Sequence, residues 1–599
     1  MPGIVGIVSS EKPPAECQRL VAAMVATMMH EPFYESGRNS LPEMGLYAGW
    51  TAHPMSFSRR ESAGDGREDV VVLMAGECFA GTGWPCVAQL YRQFGDRFVS
   101  QLNGLFSGFL IDRRRSRALL FNDRFGIERL YAHHTADALY FASEAKALLR
   151  VLPETRAFDW EGVSDFLTFG CTLEDRTLFR GVSALPSGSL WTFEGGDCKE
   201  ARYFVPSEWE ANDSLTSEGF DLALQETFTS VLPRYFQSES KLGVALTGGL
   251  DTRVIMSCRP ESAQEAVCYT YAGTSGETLD VRLAAEVARE CAMKHHIVRL
   301  GPDFLTEFAT HANRTVHITD GGLGILGSHE LYLSARAREL ADVRVTGVFG
   351  GEILRGVSTF KSLDLAPDLV DRSYSVTTRR PPLDPVHPVR AAAFRETPWQ
   401  LSGSLTACRS QLTFRTPFLD NEIVSLAFCA PDSVRTSPRA AARLVRESNP
   451  PLGRIPTDRG DLTPSATLHS VVRRIIGNVG FKLDYLSSEG LPPWLSRIDP
   501  ILDRLYPLGM LGHHKYLRYR RWLRLELAEY MREGLIQARQ NPLWDRRRLD
   551  RIADEHVLGS RNYVHEINSI LTLEAVDRLL IRGARFDESG TAAQGEQLS

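Results

Sequence analysis

The sequence predicts a two-domain protein, α+β over its first third and α/β beyond, because the rhythm of the chain changes near residue 220. Between Gly3 and about Phe204 short apolar runs alternate with turn residues: GIVGIVSS, VVVLMAG, LFSGFLIDRR, RALLFNDRFG, LYFASE and SLWTFEGG. Runs of this length read as strands, and their number suggests stacked sheets with a few helices. LNGLFSGFLIDRR followed by SRALLFNDRF reads as two strands joined by a polar, arginine-rich turn. From DLALQETFTSVLPRYF onward helical spacing takes over, and strands then alternate with helices: KLGVALTGG, AVCYTYAG, VRLAAEVAREC, HHIVRL, VRVTGVFGG. Such alternation means a parallel sheet covered by helices on both faces.

The charged segment Glu208 to Glu218 is the expected linker, which gives domains at 1–206 and 207–586 and a tail, 587–599, too poor in apolar residues to fold. Arg372 to Pro388 reads as an exposed loop. The segment KYLRYRRWLRLELAEYMREG places Leu523, Leu527, Tyr530 and Met531 on one helical face, as in a packed helix with a solvated charged side; a helix lying on a membrane is the alternative. With 599 residues, 43% of them hydrophobic, the chain has material for more than one core. A net charge of -6 with 68 dispersed basic residues gives no nucleic-acid stripe. The ten cysteines form no Cys-x-x-Cys pair, and the start, MPGIVGIVSSEKPP, lacks a basic n-region and is far too short to span a bilayer. Unpaired thiols in the cytoplasm, with no membrane partner, are therefore expected.

The stretch VALTGGLDTR, Val244 to Arg253, carries the chemistry. A strand that runs through Gly-Gly into a helix offers bare N–H groups where the helix dipole favours an anion, and phosphate is the natural guest. Gly248 and Gly249 let the backbone approach, Thr247 and Thr252 add hydroxyls, and Asp251 is placed to hold a divalent cation. A plain tight turn is the alternative. LTGGLDT resembles the pyrophosphate-binding loop Ser-Gly-Gly-Leu-Asp-Ser of synthetases that cleave ATP to AMP and pyrophosphate. FNDRFGIERLY with YFASEAKALL (Phe121 to Leu149) and RTPFLDNEIVSLAF (Arg415 to Phe428) resemble asparagine synthetase in the same order, so the likeness runs from Gly3 to about Asp461.

That resemblance implies an N-terminal Ntn-hydrolase-like αββα sandwich, related to glutaminase domains that release ammonia from glutamine. It implies next a doubly wound parallel sheet of the ATP pyrophosphatase (adenine nucleotide α-hydrolase) type with helical additions. ATP and Mg²⁺ are the implied cofactors, and a small-molecule or peptide carboxylate and an amine the implied partners; a homodimer is one candidate assembly. The resemblance places Leu246, Thr247, Gly248, Gly249, Leu250, Asp251 and Thr252 at the phosphates and Thr346 and Gly347 at the adenine or ribose. It gives Asp251 to the metal and to catalysis; Glu352, one residue beyond a missing family acid and longer in side chain, is the residue that could take over as second metal ligand and catalytic acid, and Arg459 the one that could neutralise the leaving group. Asp280 matches a family acid, with a helix cap as its other reading.

This chain also departs from the family. The glutaminase nucleophile, a cysteine at the second encoded position, is Pro2; Asn-Gly-Glu is Ala75-Gly76-Glu77; the substrate-binding aspartate falls near Pro85; and YAGWTA lacks the family's arginine. Cys78 and Cys86 read as packed core residues. In the second metal-binding segment, TGVFGGE, Val348 and Gly351 replace two acids, one linked to the proton of the attacking ammonia and one to Mg²⁺. The pyrophosphate-contacting lysine has no clear match, and Arg459 in PTDRG is the substitute considered, against a solvated loop arginine. Three functions follow. The first is an amide-forming ligase that no longer hydrolyses glutamine, a cyclase or peptide-modifying enzyme like the β-lactam synthetases and lasso-peptide cyclases. The second is an ammonia-dependent asparagine synthetase, and the third a nucleotide-binding pseudoenzyme.

Overall fold

A computed structural model describes residues 2–62, 69–81, 83–274, 277–366, 368–371, 373–374, 385–462 and 516–583, with the backbone of 585–586 and 592–593. The N-terminal part is two stacked antiparallel sheets. One contains, in spatial order, β2 (Glu35–Leu41), β3 (Leu46–Ala52), β1 (Gly3–Val8), β8 (Leu139–Ala142), β7 (Tyr131–His134) and β9 (Ser183–Ala184). The other contains β11 (Asp197–Lys199), β10 (Leu190–Glu194), β6 (Arg117–Asn122), β5 (Asn103–Asp112) and β4 (Val70–Phe79).

The period-2 pleat explains why these strands read as unbroken apolar runs. In β4, Val71, Leu73 and Ala75 enter the layer between the sheets, where Ile4, Trp50, Phe109 and Phe141 also lie. Val70, Val72, Met74 and Cys78 point the other way, onto the helices Phe57–Ser62 and Val87–Phe94. On the far side Val5 and Ile7 meet the helices Pro14–Thr27 and Ala145–Val151. Both faces of both sheets are covered, so the arrangement is the expected αββα sandwich. The polar hairpin appears as β5 and β6, which pair from Ser107↔Asn122 to Asp112↔Arg117. The edge strand β2, ESGRNSL, was not anticipated; its first six side chains alternate between half-buried and exposed and carry no apolar signal, and only Leu41 at its end enters the core.

The second part is built on five parallel strands in the order β14 (His295–Arg299), β13 (Val267–Ala272), β12 (Leu242–Ala245), β15 (Val343–Thr346) and β16 (Thr413–Arg415). Four of these match strands read in the sequence. β16 is three residues long, too short to show periodicity. The basic segment is corrected: it is not one helix but two, Tyr519–Arg524 and Ala528–Ala538, with Leu523, Leu527 and Met531 buried on the packed side. The supposed linker carries the short helix Ser207–Glu210, whose Trp209 packs on Phe125, Phe204, Phe394 and Phe428. The loop read at 372–388 and the tail 587–599 lie largely outside the described residues, apart from a backbone pairing of Ala592–Ala593 with Arg585–Phe586. Among the described residues no helix is long and apolar enough to cross a membrane, and none of the ten cysteines is in a disulfide.

The two parts share one apolar cluster that reaches from Val5 to Leu580, and buried ion pairs stitch them together. Arg415 grips Glu77 with two hydrogen bonds of 2.7 and 2.9 Å, Arg409 meets Glu128 at 2.7 Å, and Lys146 meets Asp320 at 3.1 Å. Asp420 accepts from Asn103 at 3.0 Å on one side and from Arg234 and the Tyr235 hydroxyl on the other.

Candidate active site

The crevice forms where the sheet order reverses. β12 pairs with β13 on one side and β15 on the other, so the chain leaves β12 and β15 in opposite directions and opens a cleft at their carboxyl ends. Leu246 is buried and still bonded to the sheet: its N–H donates to Tyr269 and its carbonyl accepts from the Thr270 hydroxyl at 2.9 Å. Thr247 emerges into solvent, Gly249 is half-buried, and the helix Leu250–Ser257 begins. Gly249 is its N-cap and supplies no side-chain acceptor, so the first-turn N–H groups face the cleft uncapped. Thr252 is buried beneath them.

Two contacts fix the loop. The Gly248 N–H donates to Asp280 Oδ1 at 2.9 Å. A Cβ on Gly248 would stand 2.9 Å from that oxygen and 2.8 Å from Leu283, so glycine is required for this approach. Asp280 is therefore not the cap of the helix Leu279–Glu290: Thr278 is, through its bond from the Val281 N–H, and Asp280 tethers the glycine turn instead. From the other strand Gly347 comes equally close, since a Cβ there would lie 2.6 Å from the Thr252 nitrogen. Thr346 is buried at the end of β15, while Val348 is exposed at the opening and its carbonyl accepts from the Thr416 hydroxyl.

Asp251 faces the helix Gly350–Arg355, which follows Phe349 in the left-handed region at φ 78°. A Cβ on Gly350 would fall 2.6 Å from the Asp251 carboxyl carbon, so the carboxylate lies directly against the glycine pair. It accepts from the Gly351 N–H and from Arg355 Nη2 at 2.6 Å. Burial pushes this carboxyl up to about 6 against the pull of Arg355. Glu352, on the same short helix, is pushed up to about 7, mainly by burial and then by Asp251 and Glu396.

The Mg²⁺ implied by the resemblance does not fit this donor set. Asp251 Oδ2 is engaged by the Arg355 guanidinium, and Gly351 offers no ligand where the second carboxylate of such a site would stand. The pair Asp251 and Glu352 is thus bridged electrostatically by an arginine. Arg355 belongs to no recognisable motif, although its i, i+4 spacing from Gly351 puts it over that position on one helical face.

The turn PTDRG lies against the same loop. The Asp458 N–H donates to the Gly248 carbonyl at 3.1 Å, and Thr457 and Gly460 pair across the turn. Arg459, next in the chain, is largely exposed and pairs with Asp458 at 3.5 Å. Beneath them Arg253 is buried to 1% and donates to the carbonyls of Ile455, Pro456 and Gly248, which locks turn to loop. Burial lowers its pKa to about 10. Arg253 carried no sequence signal beyond following the motif.

In the sandwich domain Glu77, the acid of the Ala75-Gly76-Glu77 triplet, has both carboxylate oxygens occupied by Arg415. The adjoining cavity, lined by Pro2, His53, Ser56, Glu77, Glu128 and Arg409 among others, is about 40 Å³, room for two or three waters. Cys78 is buried as expected, with its thiol pushed well up by burial; Cys86 is exposed, contrary to expectation, because it immediately precedes the helix Val87–Phe94 rather than sitting inside it.

Comparison with known proteins adds the following. The family model for a glutamine amidotransferase domain matches residues 82–204, and that for asparagine synthase matches residues 223–395. Asparagine synthetase [glutamine-hydrolyzing] 2 of Bacillus subtilis is 27% identical over 242 residues, 37% of this chain and 31% of its own. Asparagine synthetase [glutamine-hydrolyzing] of Zea mays is 26% identical over 296 residues, 47% of this chain and 44% of its own. Asparagine synthetase B of Escherichia coli is 24% identical over 311 residues, 48% and 50% of the two chains. The chain thus spans half or less of the length of these relatives. A glutamine phosphoribosylpyrophosphate amidotransferase of B. subtilis overlays 49% of this chain and 65% of its own at 11% identity, with a TM-score of 0.24.

Proposed function

The chain belongs to the asparagine synthetase superfamily, and from that premise we propose that it is an ATP-dependent ligase that adenylates a carboxylic acid and passes the acyl group to an amine without hydrolysing glutamine. The observation that carries this reading is the uncapped start of the helix Leu250–Ser257 at the sheet's switch point, open to solvent and closed in on by Gly347. A pocket of bare N–H groups there suits the outer phosphates of a nucleoside triphosphate. Leu246 to Thr252 would hold the phosphates and Thr346 with Gly347 the adenine or ribose.

In the first step a substrate carboxylate oxygen attacks the α-phosphorus. The bond from that phosphorus to the bridging oxygen breaks, and its electron pair leaves with pyrophosphate. The fixed N–H groups and the Arg355 and Arg459 guanidiniums meet the growing charge. In the second step the amine attacks the acyl carbon and AMP departs; the amine's proton passes to a base. The exposed Val348 offers none where the family has an acid, which favours an amine substrate that brings its own base.

Loss of glutamine hydrolysis is supported by Glu77, whose carboxylate is spent on Arg415. A second reading, ammonia-dependent asparagine synthesis, rests on the names of the relatives. ATP–pyrophosphate exchange across a panel of acids decides. The proposal expects exchange with at least one acid other than aspartate, its loss in Asp251→Ala with the circular dichroism spectrum retained, and no glutamate released from glutamine. Exchange with aspartate alone favours the second reading. No exchange with any acid contradicts both.

A further inference from the structure

We propose that Arg355 takes the place of the shared metal in this cradle: its guanidinium, held against Asp251, is the built-in cation that meets the outer phosphates of the nucleotide. The inference rests on the nucleotide-binding reading above. Position, charge and spare donor capacity carry it together.

The first is position. A side chain at residue 351 would start 3.0 Å from Arg355 Nη2 and 3.7 Å from Asp251 Oδ2, so the guanidinium lies in the space that an acid at 351 would need. Where an acid and a cation would stand, the chain has a glycine and a cation that is part of itself. The second is charge. Asp251, Glu352 and Asp458 converge on one side of the cleft and repel one another, as the upward influence of Asp458 on Asp251 and of Asp251 on Glu352 shows. Anionic phosphate entering that company needs a positive group, and Arg355, 2.6 Å from Asp251, supplies one. The third is spare capacity. One guanidinium edge serves Asp251, whereas Nε is buried with no acceptor in the protein. A buried N–H without a partner is costly, and an acceptor brought by a ligand would relieve that cost. The side chain is about one-fifth exposed, as is that of Asp251 beside it.

Arginine suits the task. Its planar fork can keep one bond to Asp251 and still present parallel N–H groups to a phosphate, which a spherical ion achieves only by sharing ligands. The glycines at 350 and 351 permit it, since either Cβ would push the carboxylate or the guanidinium away.

The test is ATP affinity by isothermal titration, with excess EDTA and then with Mg²⁺. With Arg355 as the built-in cation, the unaltered protein binds ATP in EDTA less than about tenfold more weakly than with Mg²⁺, a gap under about 1.4 kcal/mol. Arg355→Ala loses at least about tenfold in EDTA, and the double change Arg355→Ala with Gly351→Asp recovers binding only when Mg²⁺ is present. The inference is overturned if removal of Mg²⁺ costs the unaltered protein tenfold or more, or if a folded Arg355→Ala binds ATP in EDTA as well as the parent. Those results leave the ligase reading standing; ATP that binds under neither condition ends both.

Discussion

Among single residues, two arginines outside the recognisable motifs, Arg253 and Arg355, hold the site in shape. Arg253 donates to three backbone carbonyls from inside the core; its removal strands those of Ile455 and Pro456, each at about 1–3 kcal/mol, while that of Gly248 keeps the Asp458 N–H. Arg253→Met should therefore lower stability by about 2–4 kcal/mol in urea unfolding. Because the 456–460 turn then loosens from Gly248, it should also raise the KM for ATP more than it lowers kcat. The phosphate loop itself was legible, since Thr247, Gly248, Gly249 and Asp251 announce a strand-to-helix turn by composition. Arg253 and Arg355 were not, because a burial partner hundreds of residues away and a neighbour across a cleft leave no local pattern. Glu352 was legible as an acid near the site, but the sequence could not show that an arginine stands beside Asp251.

At the scale of elements the helix Leu279–Glu290 separates two jobs that sequence had merged. Thr278 caps it and Asp280 holds the Gly248 N–H. Thr278→Ala should cost about 1 kcal/mol of stability and leave pyrophosphate exchange nearly unchanged. Asp280→Ala should do the reverse, with a small stability change but at least about a tenfold fall in exchange, roughly 1.4 kcal/mol at the transition state, as the glycine turn loses its anchor. Equal effects on exchange from both would remove the distinction. Strands buried on two faces, such as β4 and β12, were readable as apolar runs. The edge strand β2 and the three-residue β16 were not, because neither is long or apolar enough to betray a period. The basic segment after residue 515 shows the converse failure: helical spacing was correct within each piece, but the turn Leu525 to Leu527, where the Leu527 N–H bonds back to Trp522, has no Gly or Pro to signal it.

At the scale of the whole molecule, the sandwich domain is welded to the synthetase domain by ion pairs withdrawn from solvent. Removing one partner of such a pair is expensive because the other stays charged and buried, about 3–5 kcal/mol. Glu77→Ala should show that loss in denaturant unfolding, and the unaltered chain should melt as one unit across both parts. Glu128 adds a pH signature. Burial outweighs Arg409 and carries its carboxyl from 4.5 to about 7 in the folded chain. The folded state therefore keeps a proton that the unfolded state has released. The stability this contributes is complete below about pH 4.5 and is lost as pH rises through 7. Glu128→Gln should cancel it, so the variant gains on the parent between pH 5 and 8; a constant difference across that range would contradict the assignment.

All of these consequences depend on the cradle at the switch point receiving a nucleoside triphosphate. The most direct measurement is the melting curve of the purified chain against ATP concentration. A site of this kind predicts a midpoint that climbs with ATP, corresponding to about 2.7 kcal/mol at a hundredfold excess over Kd, and that stays flat in Gly248→Val, whose Cβ cannot clear Asp280. A midpoint unmoved by saturating ATP, with and without Mg²⁺, would contradict the account at its root.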